Sequence, residues 1–359
     1  MARVLVTGAT GFIGRHLVRR LREEGHAVTA LCRREDPALR AEGVTIEIGD
    51  ILVPESVEGA ARGREVLFHL AGRVSRDPHD AEAMMRLHVE GTEQTLRAAH
   101  AAGVRRVVHM STSGTVAVSE DPNKIATEED PPPIGIIGRW PYYRSKLFAE
   151  ERACELGTTL PGLEVVVLNP TLVLGPGDER GSSTGDVRRF LAGRVPAVPR
   201  GGLSFVDVRD VAEAALLAME KGVGGRRYLL GACNLTLQEF FARLARIAGL
   251  TPPIELPRPA ALTDLSIALL DRASRLVEGE EAPERASIEM AHYYWYLDPS
   301  RAKRELGWVP RDPLDTLSDT VHDLYERGAV ERRLPGLAAR LEETGRTVLS
   351  RFFDRIRTP

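Results

Sequence analysis

Tyr142 and Lys146 are four residues apart and follow a proline, Pro141. Proline suits the first turn of a helix, and residues four apart lie on one helix face, so the spacing places a phenol beside an ammonium group. A phenol has an ordinary pKa of about 10, and a nearby positive charge stabilises the phenolate and lowers that pKa. The pair predicts proton transfer at an oxygen atom, with Tyr142 as acid and base. The alternative is an exposed helix pair without a chemical role.

Lysine at position 146 is informative in itself, because the chain has 48 lysines and arginines and only four of them are lysine. An ammonium is a compact charge with three donors, whereas a guanidinium spreads its charge over a planar fork. A chain that uses arginine almost everywhere indicates, by using lysine here, that the compact charge is needed.

A hydroxyl donor is expected near this pair, because negative charge that develops on a carbonyl oxygen is stabilised by a hydrogen bond. Residues 111–115 read Ser-Thr-Ser-Gly-Thr and follow a predicted strand, at the edge where the sites of parallel sheets lie. We predict Ser113 as this donor, with Thr112 as the second choice. Some of these hydroxyls must instead cap the end of the strand.

A glycine turn, residues 7–14, connects the first predicted strand to the first helix and contains Gly8, Gly11 and Gly14. Glycine allows a tight turn, close approach of backbone N–H groups to a pyrophosphate, and packing of the helix on the strand. The partial positive charge of the helix N-terminus favours phosphate. The turn predicts a bound dinucleotide, although a plain strand-to-helix turn also uses glycine.

The end of the second strand discriminates between the two nicotinamide dinucleotides. An acidic side chain there accepts the ribose 2′-hydroxyl of NAD, whereas arginine pairs with the 2′-phosphate of NADP. The sequence has Arg33 and Arg34 first and two acidic residues after them, so NADP(H) is favoured and NAD(H) stays possible. A solvated surface charge is the alternative for both arginines. Asp50 and Ile51, after the third strand, are placed where an adenine edge would meet a carboxylate and an apolar contact. A turn at the end of the strand explains the two residues nearly as well.

Short β-branched runs alternate with helical patterns, which predicts βαβ units and a doubly wound parallel sheet of the Rossmann kind. The predicted strands are residues 3–6, 27–31, 44–48, 66–70, 106–110 and 164–168. We predict an α/β fold with a nucleotide-binding domain at 1–170, a return segment at about 203–218, and a smaller interleaved substrate-binding lobe at 171–312. A helical tail follows at 313–359. Its amphipathic stretch, 348–356, is expected to dock on its own domain, a second subunit or a membrane surface.

Composition restricts the other classes of function. The net charge of −3 gives no basic surface for nucleic acid. Three scattered cysteines favour a reducing, cytoplasmic setting, and no metal-ligand spacing occurs among cysteines or histidines, so we expect no metal site. No apolar run approaches the roughly 20 residues of a membrane span, and the start of the chain leaves no room for a signal peptide.

Several further motifs carry a resemblance over almost the whole length. They are residues 68–71 (Phe-His-Leu-Ala), Ala149 and Glu150 after Lys146, 169–170 (Asn-Pro), 175–178 (Gly-Pro-Gly-Asp), 205–212 and 302–308. With the glycine turn and the Tyr142/Lys146 pair, they make the chain resemble the extended short-chain dehydrogenase/reductases of the NAD-dependent epimerase/dehydratase superfamily. It is most similar there to dihydroflavonol reductase-like and 3β-hydroxysteroid dehydrogenase-like members.

The resemblance implies a triad of Ser113, Tyr142 as acid/base, and Lys146 on the cofactor ribose. It also implies a cofactor cradle that includes Thr10, Gly11, Phe12, Ile13, Arg33, Asp50, Ile51, Leu70, Ala71, Gly72, Pro170 and Leu172. One position departs from the family, because His88 stands where the family usually has asparagine. This departure puts the polar network around that helix in question.

Three functions stay open on the sequence, since a fold alone does not decide function. The first is an NADP(H)-dependent reductase of a ketone or aldehyde, or oxidation of the alcohol, in a hydrophobic or polycyclic small molecule. The second is an NAD-dependent sugar-nucleotide epimerase or dehydratase. The third is a non-catalytic dinucleotide sensor, against which the intact Tyr142 and Lys146 argue. We expect a monomer or a homodimer.

Overall fold

The structure is a computed structural model of the chain, and it describes residues 1–256 and 285–333. Its largest element is a sheet of seven parallel strands in the order β3-β2-β1-β4-β5-β6-β10. The strands are β1 Arg3–Thr7, β2 Ala27–Cys32, β3 Thr45–Ile48, β4 Val66–His69, β5 Arg106–Met110, β6 Glu164–Pro170 and β10 Arg227–Leu230. The six strands predicted from apolar runs are all present, and the predicted doubly wound sheet is confirmed.

Successive residues of these strands face opposite sides of the sheet, so each side carries its own hydrophobic core. Val4 and Val6 pack on one side with the helices Phe12–Glu23 and Val208–Lys221, and Leu5 packs on the other side with the helices Pro54–Ala61, Gly91–Ala101 and Pro141–Thr159. The helices in chain order are α1 Phe12–Glu23, α2 Pro37–Ala41, α3 Pro54–Ala61, α4 Ala81–Met85, α5 Gly91–Ala101, α6 Ile134–Ile137, α7 Pro141–Thr159, α8 Gly185–Leu191, α9 Val208–Lys221, α10 Leu237–Ala248, α11 Arg285–Met290 and α12 Pro313–Glu326. Helices α4 and α5 are joined by a π-helical turn, Arg86–Glu90.

A smaller lobe packs around three strands in the order β11-β9-β7. The remaining strands are β7 Leu172–Leu174, β8 Ala197–Val198, β9 Gly202–Asp207, β11 Cys233–Thr236 and β12 Ile254–Glu255. Phe205 of β9 and Phe240 of α10 lie in its core, together with Leu317 of α12. This lobe stands beside the carboxyl ends of the large sheet and encloses the site described below.

The domain limits at residues 170 and 312 stay a prediction. Two elements beyond residue 170 belong with the large sheet, because β10 pairs with β6 and α9 packs on α1. The indole of Trp308 is fully buried in the same core and donates to the carbonyl of Asp210 at 2.8 Å. We therefore propose a nucleotide-binding domain that includes both elements. The amphipathic stretch at 348–356 lies outside the described residues.

Candidate active site

A cleft of about 1080 Å³ lies at the carboxyl ends of the strands of the large sheet, and it receives nearly all of the predicted site residues. The predicted residues that line it are Gly8, Thr10, Gly11, Phe12, Ile13, Arg33, Asp50, Ile51, Leu70, Ala71, Gly72, Ser113, Tyr142, Lys146, Pro170 and Leu172. Gly14 and Arg34 are not part of the cleft wall. Gly14 lies where α1 packs on the glycine turn, and Arg34 lies at the exposed surface.

The glycine turn has the close packing that its sequence predicts. Gly8 has φ +76°, and a Cβ placed there would lie 2.6 Å from the carbonyl carbon of Leu70. A Cβ at Gly14 would lie 2.1 Å from the carbonyl oxygen of Gly8, so Gly14 lets α1 pack on the turn and faces away from the cleft. Gly11 precedes α1, and no side chain caps the first N–H groups of that helix. Backbone donors therefore face the cleft, as a pyrophosphate requires.

The two arginines after β2 differ in their surroundings. Both side chains are exposed, but only Arg33 lines the cleft. The acidic residues that follow are engaged elsewhere. Glu35 pairs with Arg40 at 2.8 Å, and Asp36 pairs with Arg15 at 2.8 Å and caps α2. No ion pair engages Arg33 within the part of the chain that the structure describes, so its charge is available to an anion in the cleft.

Asp50 and Ile51 line the cleft just after β3. One Asp50 carboxylate oxygen accepts the N–H of Leu52 at 2.9 Å, and the N–H of Asp50 is held by the Ser56 hydroxyl at 3.1 Å. Ile51 is buried beneath the same turn. The turn thus presents a carboxylate beside an apolar side chain, the two features that a purine edge would contact.

Tyr142 and Lys146 both face the cleft from α7. The Lys146 ammonium is buried and donates to the carbonyl of Met110 at 2.7 Å. Burial lowers the pKa of Lys146 to about 8, against the opposing effect of the Glu150 charge. Burial also raises the pKa of the Tyr142 phenol, and Tyr143 acts in the same direction. The expected lowering of the Tyr142 pKa is therefore absent, and the phenol stands in its protonated form, as a proton donor requires.

Ser113 begins a 3₁₀ turn, Ser113–Thr115, that follows β5. The Thr112 hydroxyl accepts the N–H of Gly114 at 3.3 Å, and the Thr115 hydroxyl oxygen lies 2.9 Å from the carbonyl oxygen of Thr112. Within the described residues, no hydrogen bond occupies the Ser113 hydroxyl, although the residue is buried at the cleft. Of the two hydroxyls considered, that of Thr112 already accepts one hydrogen bond, whereas that of Ser113 takes part in none within this part of the chain.

A buried carboxylate, Glu150, lies one helical turn after Lys146 and organises the floor of the site. One of its oxygens accepts hydrogen bonds from Ser111 at 2.5 Å, from Thr115 at 2.9 Å and from Asn169 at 2.8 Å. Its other oxygen lies 3.3 Å from the guanidinium of Arg227 on β10. Glu150 therefore joins the carboxyl ends of β5 and β6 to Arg227, the first residue of β10, beneath the turn that carries Ser113. The sequence motif contained Glu150, but sequence reasoning assigned it no role.

Three buried histidines, His69, His88 and His109, also surround the site. His69 bonds Thr7 at 2.8 Å and Thr92 at 3.1 Å, and its ring stacks on His109 with centroids 5.4 Å apart. Burial, assisted by the charge of Lys146, lowers the pKa of His69 and of His88 to about 3. These rings are neutral at ordinary pH. The strand and helix patterns hold no signal for this clustering.

An aromatic wall, formed by Trp140, Tyr143 and Trp295, borders the cleft beside Tyr142. The rings of Trp140 and Trp295 stack with centroids 5.7 Å apart, and Tyr143 lies 5.0 Å from Trp295. Gly114 makes room for the wall, because a Cβ there would lie 2.2 Å from Cε1 of Tyr143. Sequence reasoning missed this wall, whose only local signal is the density of aromatic residues around 140–143 and 293–296.

Within residues 1–256 and 285–333, no group of three or more potential metal ligands occurs. No helix in those ranges has the length and apolar character to cross a membrane.

Comparison with known proteins gives the following similarities. The model of the NAD-dependent epimerase/dehydratase family matches residues 4–231. A Synechocystis protein provisionally named dihydroflavonol 4-reductase is 34% identical over 340 residues, covering 91% of this chain and 95% of that protein. Sterol demethylase protein B of Methylococcus capsulatus is 34% identical over 331 residues, covering 91% and 99%. The solved UDP-glucose 4-epimerase of Thermus thermophilus, in complex with NAD, has a TM-score of 0.69 and 26% identity, covering 91% of this chain and 100% of that one.

Proposed function

Because the chain belongs to the NAD-dependent epimerase/dehydratase family, we propose that it is an NADP(H)-dependent reductase of a ketone or aldehyde in a hydrophobic, polycyclic small molecule. Membership confirms the resemblance found in the sequence. It makes the protein an NAD(P)-dependent oxidoreductase of the extended short-chain dehydrogenase/reductase type. The observation that carries the finer proposal is that Ser113, Tyr142, Lys146 and Arg33 all line one cleft.

The cofactor fits the cleft through groups already in place. The glycine turn offers backbone donors for the pyrophosphate, and the turn at Asp50 and Ile51 suits the adenine. Lys146 would hold the ribose hydroxyls, and Pro170 and Leu172 would bound the nicotinamide end. When bound, the reduced nicotinamide supplies the hydride.

Residues of the chain then stabilise the negative charge on the substrate oxygen and supply its proton. The Ser113 hydroxyl donates a hydrogen bond to the carbonyl oxygen and stabilises its developing negative charge. The Tyr142 phenol gives its proton to the same oxygen, which converts the alkoxide to the alcohol. The Lys146 ammonium stabilises the phenolate that remains. Burial raises the pKa of Tyr142 in the free protein, so the phenol begins a reductive cycle in its protonated form.

The preference for NADP(H) rests on Arg33. A guanidinium forms strong paired hydrogen bonds with phosphate, and the acidic neighbours Glu35 and Asp36 are bound to other arginines. The 2′-phosphate of NADP would therefore meet an available positive charge. Both carboxylates are already neutralised by an arginine, whereas Arg33 has no ion-pair partner among the described residues.

The substrate class rests on the aromatic wall. Stacked indoles and a phenol beside the proton donor offer a flat apolar surface, and flat ring systems bind such surfaces by stacking. Two relatives are named for dihydroflavonol and sterol chemistry, and both compounds are fused-ring molecules. These similarities support a polycyclic substrate.

The test is a substrate screen with the full-length purified protein. We expect NADPH oxidation, followed at the nicotinamide absorbance, with fused-ring ketones or aldehydes, and much slower turnover with NADH. Nucleoside diphosphate sugars form the second arm of the screen. Epimerisation or dehydration of a sugar nucleotide, with NAD retained through purification, would replace this proposal with the epimerase function.

A further inference from the structure

We infer that His88 is a positioning residue for Tyr142, and that it acts through Ser145 as one hydrogen-bonded bridge. The inference rests on the proposed role of Tyr142 as proton donor. His88 lies in the π-helical turn Arg86–Glu90, and such turns are frequent at functional sites. Its ring is 2% exposed.

Every hydrogen bond of the bridge has a determined direction. The backbone N–H of Arg73 donates to Nε2 of His88 at 3.0 Å, so Nε2 carries no proton and Nδ1 carries the only one. Nδ1 lies 2.8 Å from the Ser145 hydroxyl oxygen. That hydroxyl donates its own proton to the carbonyl of Tyr142 at 2.8 Å, so it must accept from Nδ1. The two constraints agree on one neutral tautomer.

The bridge ends on backbone groups of the two segments that enclose the reacting centre. One end is the loop after β4, where Gly72 lines the cleft and a Cβ would lie 3.2 Å from Nε2 of His88. The other end is the first turn of α7, which carries Tyr142. The His88 ring also meets the Tyr142 ring edge to face, with centroids 6.0 Å apart. His88 therefore touches the ring of Tyr142 directly and its carbonyl through Ser145.

Burial and the charge of Lys146 keep the ring neutral, which the bridge needs because a protonated ring would have no acceptor for the Arg73 N–H. The bridge has two arms, the hydrogen bond between His88 and Ser145 and the hydrogen bond between Arg73 and His88, and each has its own expected effect. The Ser145 arm orients the phenol and should govern kcat. The Arg73 arm orients the loop at residues 73–76, which lines the cleft, and should govern KM for the carbonyl substrate.

Two substitutions of His88 test the two arms separately. The side-chain amide of asparagine reaches the position of Nδ1, and the side-chain amide of glutamine reaches the position of Nε2. His88→Gln keeps an acceptor for Arg73 and loses the donor to Ser145, and we expect kcat to fall about tenfold or more. Ser145→Ala should produce the same loss, and the double variant should be no worse than either single one. His88→Asn keeps the donor to Ser145, and we expect kcat within about threefold of wild type with a raised KM. His100→Gln, on α5 and bonded to the carbonyl of Pro161, is the matched control.

A second readout needs no turnover. In protein labelled with ¹³C at the tyrosine Cζ, the signal that Tyr142→Phe removes should shift in Ser145→Ala and stay in place in His100→Gln. Both His88 variants lose the ring that meets Tyr142, so His88→Asn measures the effect of the ring alone, and His88→Gln should shift the signal further. Equal losses of kcat and of melting temperature in both His88 variants, with the Tyr142 signal unmoved in Ser145→Ala, would reduce His88 to a packing residue. A wild-type protein that reduces no carbonyl would overturn the proposed function, while the spectrum would still decide the role of His88.

Discussion

The glycine turn and the aromatic wall face the same cleft but are built in different ways. The turn is made of consecutive residues, and its geometry follows from missing side chains, such as the missing Cβ of Gly8. The wall is made of large side chains that are brought together from positions 140, 143 and 295. A site made of local backbone can be recognised in a sequence, whereas a site made of distant side chains becomes visible only after folding. We therefore expect the turn to govern cofactor affinity and the wall to govern substrate choice.

Tyr142 lies where the two regions meet, and its loss should have the largest effect. Tyr142→Phe removes the proton donor but keeps the ring, so we expect kcat to fall about a thousandfold, within the usual range for a general acid. NADPH affinity, measured by fluorescence titration, should stay close to wild type. Retained turnover would remove Tyr142 from the proposed chemistry.

Gly8→Ala tests whether the turn depends on its backbone. The φ of +76° is unfavourable for alanine by about 1–2 kcal/mol, and the added Cβ would also meet the backbone of Leu70. Gly25 is a matched control, because it has the same φ of +76° and its Cβ would meet nothing within 4 Å. Gly8→Ala should lower the free energy of unfolding in urea more than Gly25→Ala does, and only Gly8→Ala should weaken NADPH binding. Equal effects on both measurements would mean that contact with Leu70 is unimportant.

Arg33→Ala tests the charge at the edge of the glycine-turn region. A lost charged hydrogen bond costs about 1.5–3 kcal/mol, so NADPH affinity should fall about tenfold to a hundredfold, with NADH affinity little changed. Arg34→Ala is the control and should leave both affinities nearly unchanged, because Arg34 is outside the cleft. A parallel loss of both cofactors would contradict the assignment of NADP(H).

The pH dependence of kcat/KM tests the role of the Lys146 ammonium. The charged form of Lys146 is the active one, and burial lowers its pKa to about 8 in the free protein. Since kcat/KM reports groups of the free enzyme, it should be level below that pH and fall about tenfold per unit above it. Lys146→Arg, which stays charged, should be less active but should lose this alkaline decline.

Trp295→Leu should have the smallest effect and should be confined to the substrate. An aromatic contact contributes about 0.5–1.5 kcal/mol beyond its buried area, so KM for a fused-ring carbonyl should rise about threefold to tenfold. A small acyclic aldehyde is the internal control, because it cannot span the wall. NADPH affinity should not change, and a change there would mean that the two regions are not separate.

The departure at His88 shows how far sequence reasoning reached into the site. The sequence indicated that the polar network around this helix differs from the family pattern, but it could not say how. The structure supplies the partners, Arg73 and Ser145, which are 15 and 57 positions away along the chain. In the same way, the Tyr142/Lys146 spacing predicted proximity but gave the wrong direction for the Tyr142 pKa, because desolvation depends on what covers the phenol.

Local patterns in the chain were enough to predict six of the seven strands of the large sheet, the glycine turn, the helix that carries Tyr142 and Lys146, and the family. These features arise from interactions among neighbours along the chain, which leave a periodic pattern or a short motif. Tertiary packing was needed to establish that Ser113 keeps a free hydroxyl and that Glu150 joins three strands. It also established that Arg33 has no ion-pair partner in the described residues, and that three aromatic rings meet beside the phenol. Burial and long-range contacts create those properties, and they depend on which distant segments the fold packs together.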